Sequence, residues 1–302
     1  MTRERWQRVA KMATCLLFGL AATSCSAPAL HLRSKLPPGS RYVSMGSSFA
    51  AGPGVSTPAE GTRDRCGRSS DNYAHQLARK RGLNLVDVSC GGATTTHLLQ
   101  GWGDLAPQLD ALNADTMLVT ITVGGNDVGY IGSLMAASCE IPALWQGLAA
   151  TVCNGLRRNA APDAARPPAP GEEAWSNLAT NLRRIAREVH QRAPKARLIF
   201  VDYLTLLPDQ QPCSATPLSE AAAAKLRGLA ERLATLTATI AEEEGGEVVK
   251  ASAGSRAHHA CAEDPWVTAF TPHAGPNGFA PYHPNLAGMS AIAAMLDDRL
   301  EK

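Results

Sequence analysis

Four residues far apart in the chain carry the groups that nucleophilic acyl transfer needs. Ser48 offers a hydroxyl within a turn of small residues, and His283 offers an imidazole that can take its proton. Gly92 can bring a backbone N–H close to a developing oxyanion because it lacks a Cβ, and Asn126 adds a neutral side-chain donor. The reaction requires a hydroxyl, a base within hydrogen-bond reach and oxyanion donors. Each residue alone also fits a structural turn, but the set predicts a serine nucleophile with a histidine base.

Three of the four residues follow segments with the pattern of buried strands. Strands are predicted at 42–45, 83–89 and 116–123, and each runs into a turn that contains glycine. The segment 116–123 is almost continuously apolar, which is typical of a central parallel strand. Open α/β folds place ligands outside the carboxyl ends of their strands. We therefore expect the turns that carry Ser48, Gly92 and Asn126 to lie at one edge of a sheet.

Helices and strands alternate along the rest of the chain. Two more strands are predicted at 197–203 and 247–251. Helices are predicted at 72–81, 173–192 and 218–244, and a last helix has Pro284 as its first residue. This alternation predicts an α/β protein, a three-layer α/β/α sandwich around a parallel sheet.

In chain order, these residues resemble the sequence blocks of the SGNH hydrolase superfamily, also called GDSL hydrolases. The blocks occur at residues 46–52 (Gly-Ser-Ser-Phe-Ala-Ala-Gly), Gly92, residues 124–127 (Gly-Gly-Asn-Asp) and His283. Ser48 stands at the nucleophile position of the first block, and Asn126 at the oxyanion-donor position of the third. Ser47 stands where the family usually has Asp. The ordered set covers nearly the whole chain after residue 40.

The resemblance implies a flavodoxin-like fold with a parallel five-stranded sheet and a serine esterase or lipase activity. Ser48 would form an acyl-enzyme with His283 as the base. The oxyanion hole would consist of the backbone N–H groups of Ser48 and Gly92 and the side chain of Asn126. No metal or organic cofactor is implied. The expected substrate is an ester of a lipid or of an acylated sugar, and the protein is expected to be a monomer.

The acid of a catalytic triad is absent from its usual place, three residues before the histidine. That position is Ala280. The resemblance, here to the secreted actinobacterial esterases, implies that a backbone carbonyl accepts the Nδ1–H of His283 instead, and we expect it to be that of Ala280. The alternative is a remote acid, Asp264 or Glu263, that folds back onto the histidine.

The cysteines indicate an oxidising compartment. The chain has eight, of which Cys15 and Cys25 lie at the N-terminus. The other six are an even number, as expected for a disulfide framework in an exported protein. Sequential pairing is usual in the secreted relatives and implies the bridges Cys66–Cys90, Cys139–Cys153 and Cys213–Cys261.

The N-terminus has the pattern of a signal peptide. Basic residues precede the uncharged run 12–24, which is too short to span a bilayer comfortably. Small residues before Cys25 resemble a bacterial lipobox, which would lipidate that cysteine and attach the protein to a membrane. Ala22 stands where leucine is usual, so ordinary cleavage fits equally well. The predicted division is residues 1–25 as signal peptide, 26–40 as linker and 41–302 as the hydrolase domain.

Composition argues against several other functions. The net charge is +2 and aromatic residues make up 5%, without a basic stripe, so no nucleic acid is expected. His258, His259 and His273 lack the spacing of metal ligands, and no CxxC pair occurs. Two alternatives to an esterase stay open. One is an acyltransferase to a sugar or lipid hydroxyl, and the other is a non-catalytic envelope lipoprotein that binds a glycan or lipid, which the unusual Ser47 favours.

Overall fold

A parallel sheet of five strands lies at the centre of the computed structural model, which describes residues 36–59, 65–140, 153–154, 170–270 and 280–302. The strands are β1 (Arg41–Gly46), β2 (Asn84–Asp87), β3 (Thr116–Thr122), β4 (Arg197–Val201) and β5 (Glu247–Val249). Their order in space is β2-β1-β3-β4-β5, and all neighbours are parallel. This is the flavodoxin-like order, so the predicted fold is confirmed.

Helices flank the sheet. They are α1 (Ser48–Ala51), α2 (Tyr73–Arg81), α3 (Thr95–Gln100), α4 (Tyr130–Ser138), α5 (Glu172–Arg192), α6 (Glu220–Glu243), α7 (Ala251–Gly254) and α8 (Leu286–Glu301). The strand order runs outwards from β1 in both directions, and since parallel crossovers are right-handed as a rule, this order places helices on both faces of the sheet. Accordingly α2 packs against α8, whereas α5 packs against α3 and α6. None of these helices is long and apolar enough to cross a membrane.

The predicted elements are present, with ends that move by one or a few residues. The last helix differs most clearly, because it begins at Leu286 instead of Pro284. Asn285 is its N-cap, and its side-chain oxygen accepts the Gly288 N–H at 2.9 Å. An asparagine cap satisfies one of the unpaired N–H groups of the first turn, so the helix starts after it.

Several predictions concern residues outside those that the structure describes. The predicted signal peptide, with Cys15 and Cys25, lies there, as do residues 26–35 of the predicted linker and His273. The end of the predicted linker is described and contacts the domain. Leu36 packs against the core, and the Gly39 N–H donates to the Gly82 carbonyl at 2.7 Å.

Three disulfides join segments of the domain. They are Cys66–Cys90, Cys139–Cys153 and Cys213–Cys261, the three pairs that the resemblance implied. The first connects the loop before α2 with the end of β2. The second connects the C-terminal end of α4 with a cysteine 14 residues further on. The first therefore braces the turn that carries Gly92, two residues after Cys90.

Candidate active site

Ser48 and His283 lie within hydrogen-bond distance of each other. Ser48 Oγ is 2.8 Å from His283 Nε2, although 235 residues separate the two along the chain. Ser48 is the first residue of α1, two residues after β1 ends, and His283 lies in the loop that precedes α8. Each residue is 8% exposed. The hydroxyl can therefore pass its proton directly to the ring without an intervening water.

The second ring nitrogen of His283 contacts a backbone carbonyl. Nδ1 is 2.9 Å from the Pro281 carbonyl oxygen. Because a carbonyl can only accept, Nδ1 carries the hydrogen and Nε2 turns its lone pair to Ser48. The prediction that Ala280 supplies this carbonyl is wrong, since the Ala280 oxygen accepts from Thr268 Oγ1 at 2.5 Å. The reason is a backbone turn at Tyr282, where φ is 61°.

The surroundings of His283 favour its neutral form. Burial lowers the pKa of the imidazole, and the hydrogen bond to the Pro281 carbonyl opposes this only in part. A general base must be unprotonated at the working pH, so a lowered pKa suits the role. The ring also packs against Phe49, with ring centres 5.3 Å apart.

The remote acid considered as an alternative faces another histidine. The Asp264 carbonyl oxygen is 2.8 Å from His258 Nδ1, and its carboxylate is 3.5 Å from the same nitrogen. His258 in turn stacks on Trp266, with ring centres 3.9 Å apart. No carboxylate among the described residues contacts His283. The arrangement is therefore a serine–histidine pair oriented by a carbonyl.

The turn that carries Ser48 is fixed by its neighbours in the sheet. Gly46 has a φ of 136°, and a Cβ there would collide with the Thr122 carbonyl of β3. The Gln108 side chain brackets the same residue: Oε1 accepts the Gly46 N–H at 2.7 Å, and Nε2 donates to its carbonyl at 3.0 Å. The Ser47 N–H donates to the Thr122 carbonyl at 2.8 Å. These contacts hold Ser48 at the carboxyl end of β1. Sequence analysis did not identify Gln108 as a residue that supports this turn.

Besides the Ser48 N–H, two oxyanion donors are predicted, and they lie on the turns that flank Ser48, because β1 sits between β2 and β3 in the sheet. Gly92 has a φ of 83°, and its N–H has no hydrogen-bond partner among the described residues. The Asn126 side chain donates one hydrogen to the Ala93 carbonyl at 2.9 Å, which leaves the second amide hydrogen for a ligand. This bond joins the Asn126 turn to the Gly92 turn.

The Gly92 turn is held on two sides. The Cys90 N–H donates to the Gly46 carbonyl at 3.0 Å, and the Gly91 N–H to the Cys66 carbonyl at 2.8 Å, next to the disulfide between the two cysteines. The Trp102 indole covers the turn, with one edge 3.1 Å from the place of a Cβ on Gly92. Glycine is therefore required here by both the backbone angle and the available space.

Tyr203 is a second residue that sequence analysis missed. Its Oη accepts the Gly125 N–H at 2.8 Å and lies 3.3 Å from Ser47 Oγ. Ser47 is the residue that stands where the family usually has Asp. The ring packs on Phe49, with ring centres 4.5 Å apart. Tyr203 thus joins the nucleophile turn to the turn before Asn126. Its position just after β4, at the same edge of the sheet, was the signal that could have identified it.

The chain is similar to known hydrolases along most of its length. Residues 44–291 match the family described as "GDSL-like Lipase/Acylhydrolase family". Lipase 2 of Streptomyces coelicolor is 32% identical over 290 residues, which cover 94% of this chain and 92% of that protein. Two crystal structures have the same fold. Phospholipase A1 of Streptomyces albidoflavus NA297 has a TM-score of 0.67 and 23% identity, and covers 86% of this chain and 99% of its own. An extracellular lipase of Streptomyces rimosus has a TM-score of 0.65 and 24% identity, with the same coverage of both chains.

Proposed function

Because the chain belongs to the GDSL-like lipase/acylhydrolase family, we propose that it hydrolyses carboxylic esters through an acyl-enzyme on Ser48. Ser48 Oγ attacks the ester carbonyl while His283 Nε2 takes the hydroxyl proton. His283 then returns that proton to the leaving alcohol. Water, deprotonated by the same nitrogen, attacks the acyl-enzyme and releases the acid and free Ser48. The steps use no metal and no organic cofactor.

The observation that carries this proposal is that each ring nitrogen of His283 has a suitable partner. One ring nitrogen lies 2.8 Å from the Ser48 hydroxyl and the other 2.9 Å from a carbonyl that only accepts. This arrangement selects the tautomer that a base needs without a third acid. The Ser48 and Gly92 N–H groups and the Asn126 side chain are the proposed donors to the oxyanion. Donors of this kind are worth roughly 10²–10³ in turnover each.

The proposed substrate is an ester of a lipid or of an acylated sugar. The lipase name of the 32%-identical relative supports the lipid ester.

Export from the cytoplasm is part of the proposal. The three disulfides and the fold shared with an extracellular lipase support it. The segment before Cys25 fits both ordinary cleavage and lipidation of that cysteine. The intact mass of the protein recovered from the culture medium and from the membrane fraction tests this. An unprocessed N-terminus at Met1 in both fractions would contradict export.

A fluorophosphonate probe tests the nucleophile. The purified protein should be labelled, and Ser48→Ala should abolish both the label and the release of free acid from a para-nitrophenyl ester. Ser47→Ala is the matched control, because it removes the neighbouring buried hydroxyl and should keep the label. Labelling that persists in Ser48→Ala, or that is lost only in Ser47→Ala, would refute the assignment. A series of esters from acetyl to palmitoyl then measures the preferred acyl length.

A further inference from the structure

Tyr282 has a backbone conformation that side chains rarely adopt. Its φ is 61°, and it is the only residue other than glycine with a positive φ in the part of the chain that the structure describes. A bulky residue in this region is strained, and such strain persists only where the surroundings impose it. Tyr282 lies between Pro281, whose carbonyl contacts Nδ1, and His283 itself.

This backbone angle decides where the Pro281 carbonyl points. That carbonyl belongs to the peptide unit before Tyr282, and φ of Tyr282 is the rotation that relates this unit to the residues that follow. A positive φ at Tyr282 turns the chain so that the His283 side chain returns to the Pro281 carbonyl, while the His283 N–H donates to Thr268 Oγ1. With an extended angle, the same carbonyl would point away from the imidazole. The 2.9 Å contact with Nδ1 therefore depends on the strained conformation.

We propose that Tyr282 is a positioning residue, which holds the Pro281 carbonyl against His283. This carbonyl then takes the place of the missing triad acid. This inference rests on the proposed roles of Ser48 and His283. Tyr282 does not touch the reacting atoms, and it acts only through the tautomer and orientation of the ring.

The side chain of Tyr282 has the anchor that such a role needs. The ring is fully buried, and its hydroxyl lies 2.5 Å from Ser138 Oγ at the last residue of α4. Ser138 Oγ also lies 2.9 Å from the Leu134 carbonyl, which can only accept, so Ser138 donates to Leu134 and Tyr282 donates to Ser138. The Tyr282 ring stacks on Phe270, with ring centres 5.8 Å apart.

The backbone is held as well. The Tyr282 N–H donates to the Thr268 carbonyl at 3.0 Å. Ser138 immediately precedes Cys139, which is bonded to Cys153. A disulfide-braced helix end is thus connected, through two hydroxyl groups, to the residue next to His283. The anchor fixes the ring of Tyr282, and the backbone bond fixes its main chain, so that φ cannot relax to an extended value.

Two variants remove the anchor from opposite ends. Tyr282→Phe and Ser138→Ala each remove the hydroxyl bond, and each should lower kcat about tenfold with KM changed by less than about twofold, because only the orientation of the base is affected. The double variant should be no worse than either single variant, since both break one interaction. Tyr42→Phe is the matched control. It removes a buried hydroxyl bond of the same kind, 2.7 Å from Thr120 Oγ1, away from the histidine loop, and should leave kcat unchanged.

The tautomer gives a readout that does not depend on activity. The ¹⁵N shifts of the His283 ring should report Nδ1–H in the wild type and in Tyr42→Phe, and a mixture of tautomers in Tyr282→Phe. Tyr282→Gly can adopt the turn without strain but has no anchor, and should lose as much kcat as Tyr282→Phe or more.

Equal kcat in Tyr282→Phe and Tyr42→Phe, with unchanged ring shifts, would overturn the inference, as would a Tyr282→Gly variant with wild-type kcat. These results leave the proposed function intact if Ser48→Ala is still inactive and unlabelled. A wild-type protein that neither reacts with the probe nor cleaves esters would instead refute the proposed function.

Discussion

The two members of the serine–histidine pair are held in different ways. The nucleophile turn, residues 46–48, is fixed by backbone bonds to neighbouring strand ends, such as Ser47 N–H to the Thr122 carbonyl, and by the Gln108 side chain on Gly46. The histidine loop, residues 280–285, pairs with residues 266–268 through three backbone bonds and depends further on side chains from distant segments. Thr268 Oγ1 contacts the Ala280 and His283 carbonyls and accepts the His283 N–H, and Tyr282 reaches Ser138.

The positions of Ser48 and His283 therefore depend on different kinds of contact. A strand end in a parallel sheet has a position set by the ladder on both sides, and the Gln108 bonds to Gly46 add to that support. The histidine loop belongs to none of the five strands and has one isolated bridge, Val267 to Pro284, so each of its side-chain anchors is a separate point at which geometry can be lost. We therefore expect substitutions that remove one contact from the histidine loop to affect turnover more than matched substitutions in the nucleophile turn.

The largest effect is expected at Asn126, the proposed oxyanion donor, whose side chain joins two strand-end turns. Asn126→Ala removes the side-chain donor and should lower kcat by roughly 10²–10³. The fold should survive, because the variant loses one described side-chain hydrogen bond, to the Ala93 carbonyl. Steady-state kinetics and a thermal melt on the same preparation measure both quantities. A loss of less than about threefold would make Asn126 a turn residue only.

A smaller loss of kcat is expected when the histidine loop loses a contact, and it can be compared with a matched change in the nucleophile turn. Thr268→Val keeps the shape of the side chain but leaves the His283 N–H without its partner at 3.1 Å. An unsatisfied buried donor costs about 1–3 kcal/mol of stability, and the loosened loop should lower kcat about tenfold. Thr268→Ser keeps the hydroxyl and should restore kcat.

Gln108→Met is the matched change on the nucleophile side. It removes both side-chain bonds to Gly46 and should cost a similar free energy of unfolding, again about 1–3 kcal/mol. Its kcat should stay within about threefold of the wild type, because the Gly46 carbonyl still accepts the Cys90 N–H and Ser47 is still bonded to Thr122. A larger loss of kcat in Gln108→Met than in Thr268→Val would reverse the comparison between the two sides.

The same contrast explains how far sequence analysis could go. The fold and the candidates Ser48, Gly92 and Asn126 could be predicted because strand patterns and glycine turns are local signals. The histidine could be predicted from its block, but its acceptor could not. The choice between Ala280 and Pro281 depends on φ at Tyr282, and that angle depends on a contact 144 residues away in sequence. No local pattern reports such a contact.

Gln108 and Tyr203 were missed for a related reason. Gln108 bonds to Gly46 across 62 residues, and Tyr203 accepts the Gly125 N–H across 78. Each side chain satisfies backbone groups that the turn at a strand end leaves unpaired. The sequence of such a turn indicates that its backbone groups need hydrogen-bond partners, but it does not indicate which residues supply them.

Substitution of the remote acids tests whether the histidine is oriented by a carbonyl alone. Removal of a true triad acid costs on the order of 10⁴ in turnover, as when the triad aspartate of a serine protease is changed to asparagine. Asp264 faces His258, so Asp264→Asn should cost less than about tenfold, and so should Glu263→Gln. A loss of several thousandfold in either variant, with folding intact, would mean that a carboxylate completes a triad.

The pH profile gives the same test without a mutation. Burial lowers the pKa of His283 from its usual value of 6.5, whereas a nearby carboxylate would raise it. The base works in its neutral form, so activity is lost as the pH falls through the lowered pKa and is complete above it. We therefore expect kcat/KM to fall only below pH 6.5 and to level off above it. The profile of Asp264→Asn should overlay that of the wild type. An acidic limb centred above 6.5 that moves down in Asp264→Asn would show that this carboxylate acts on His283, and the histidine loop would then owe its precision to charge as well as to the Pro281 carbonyl.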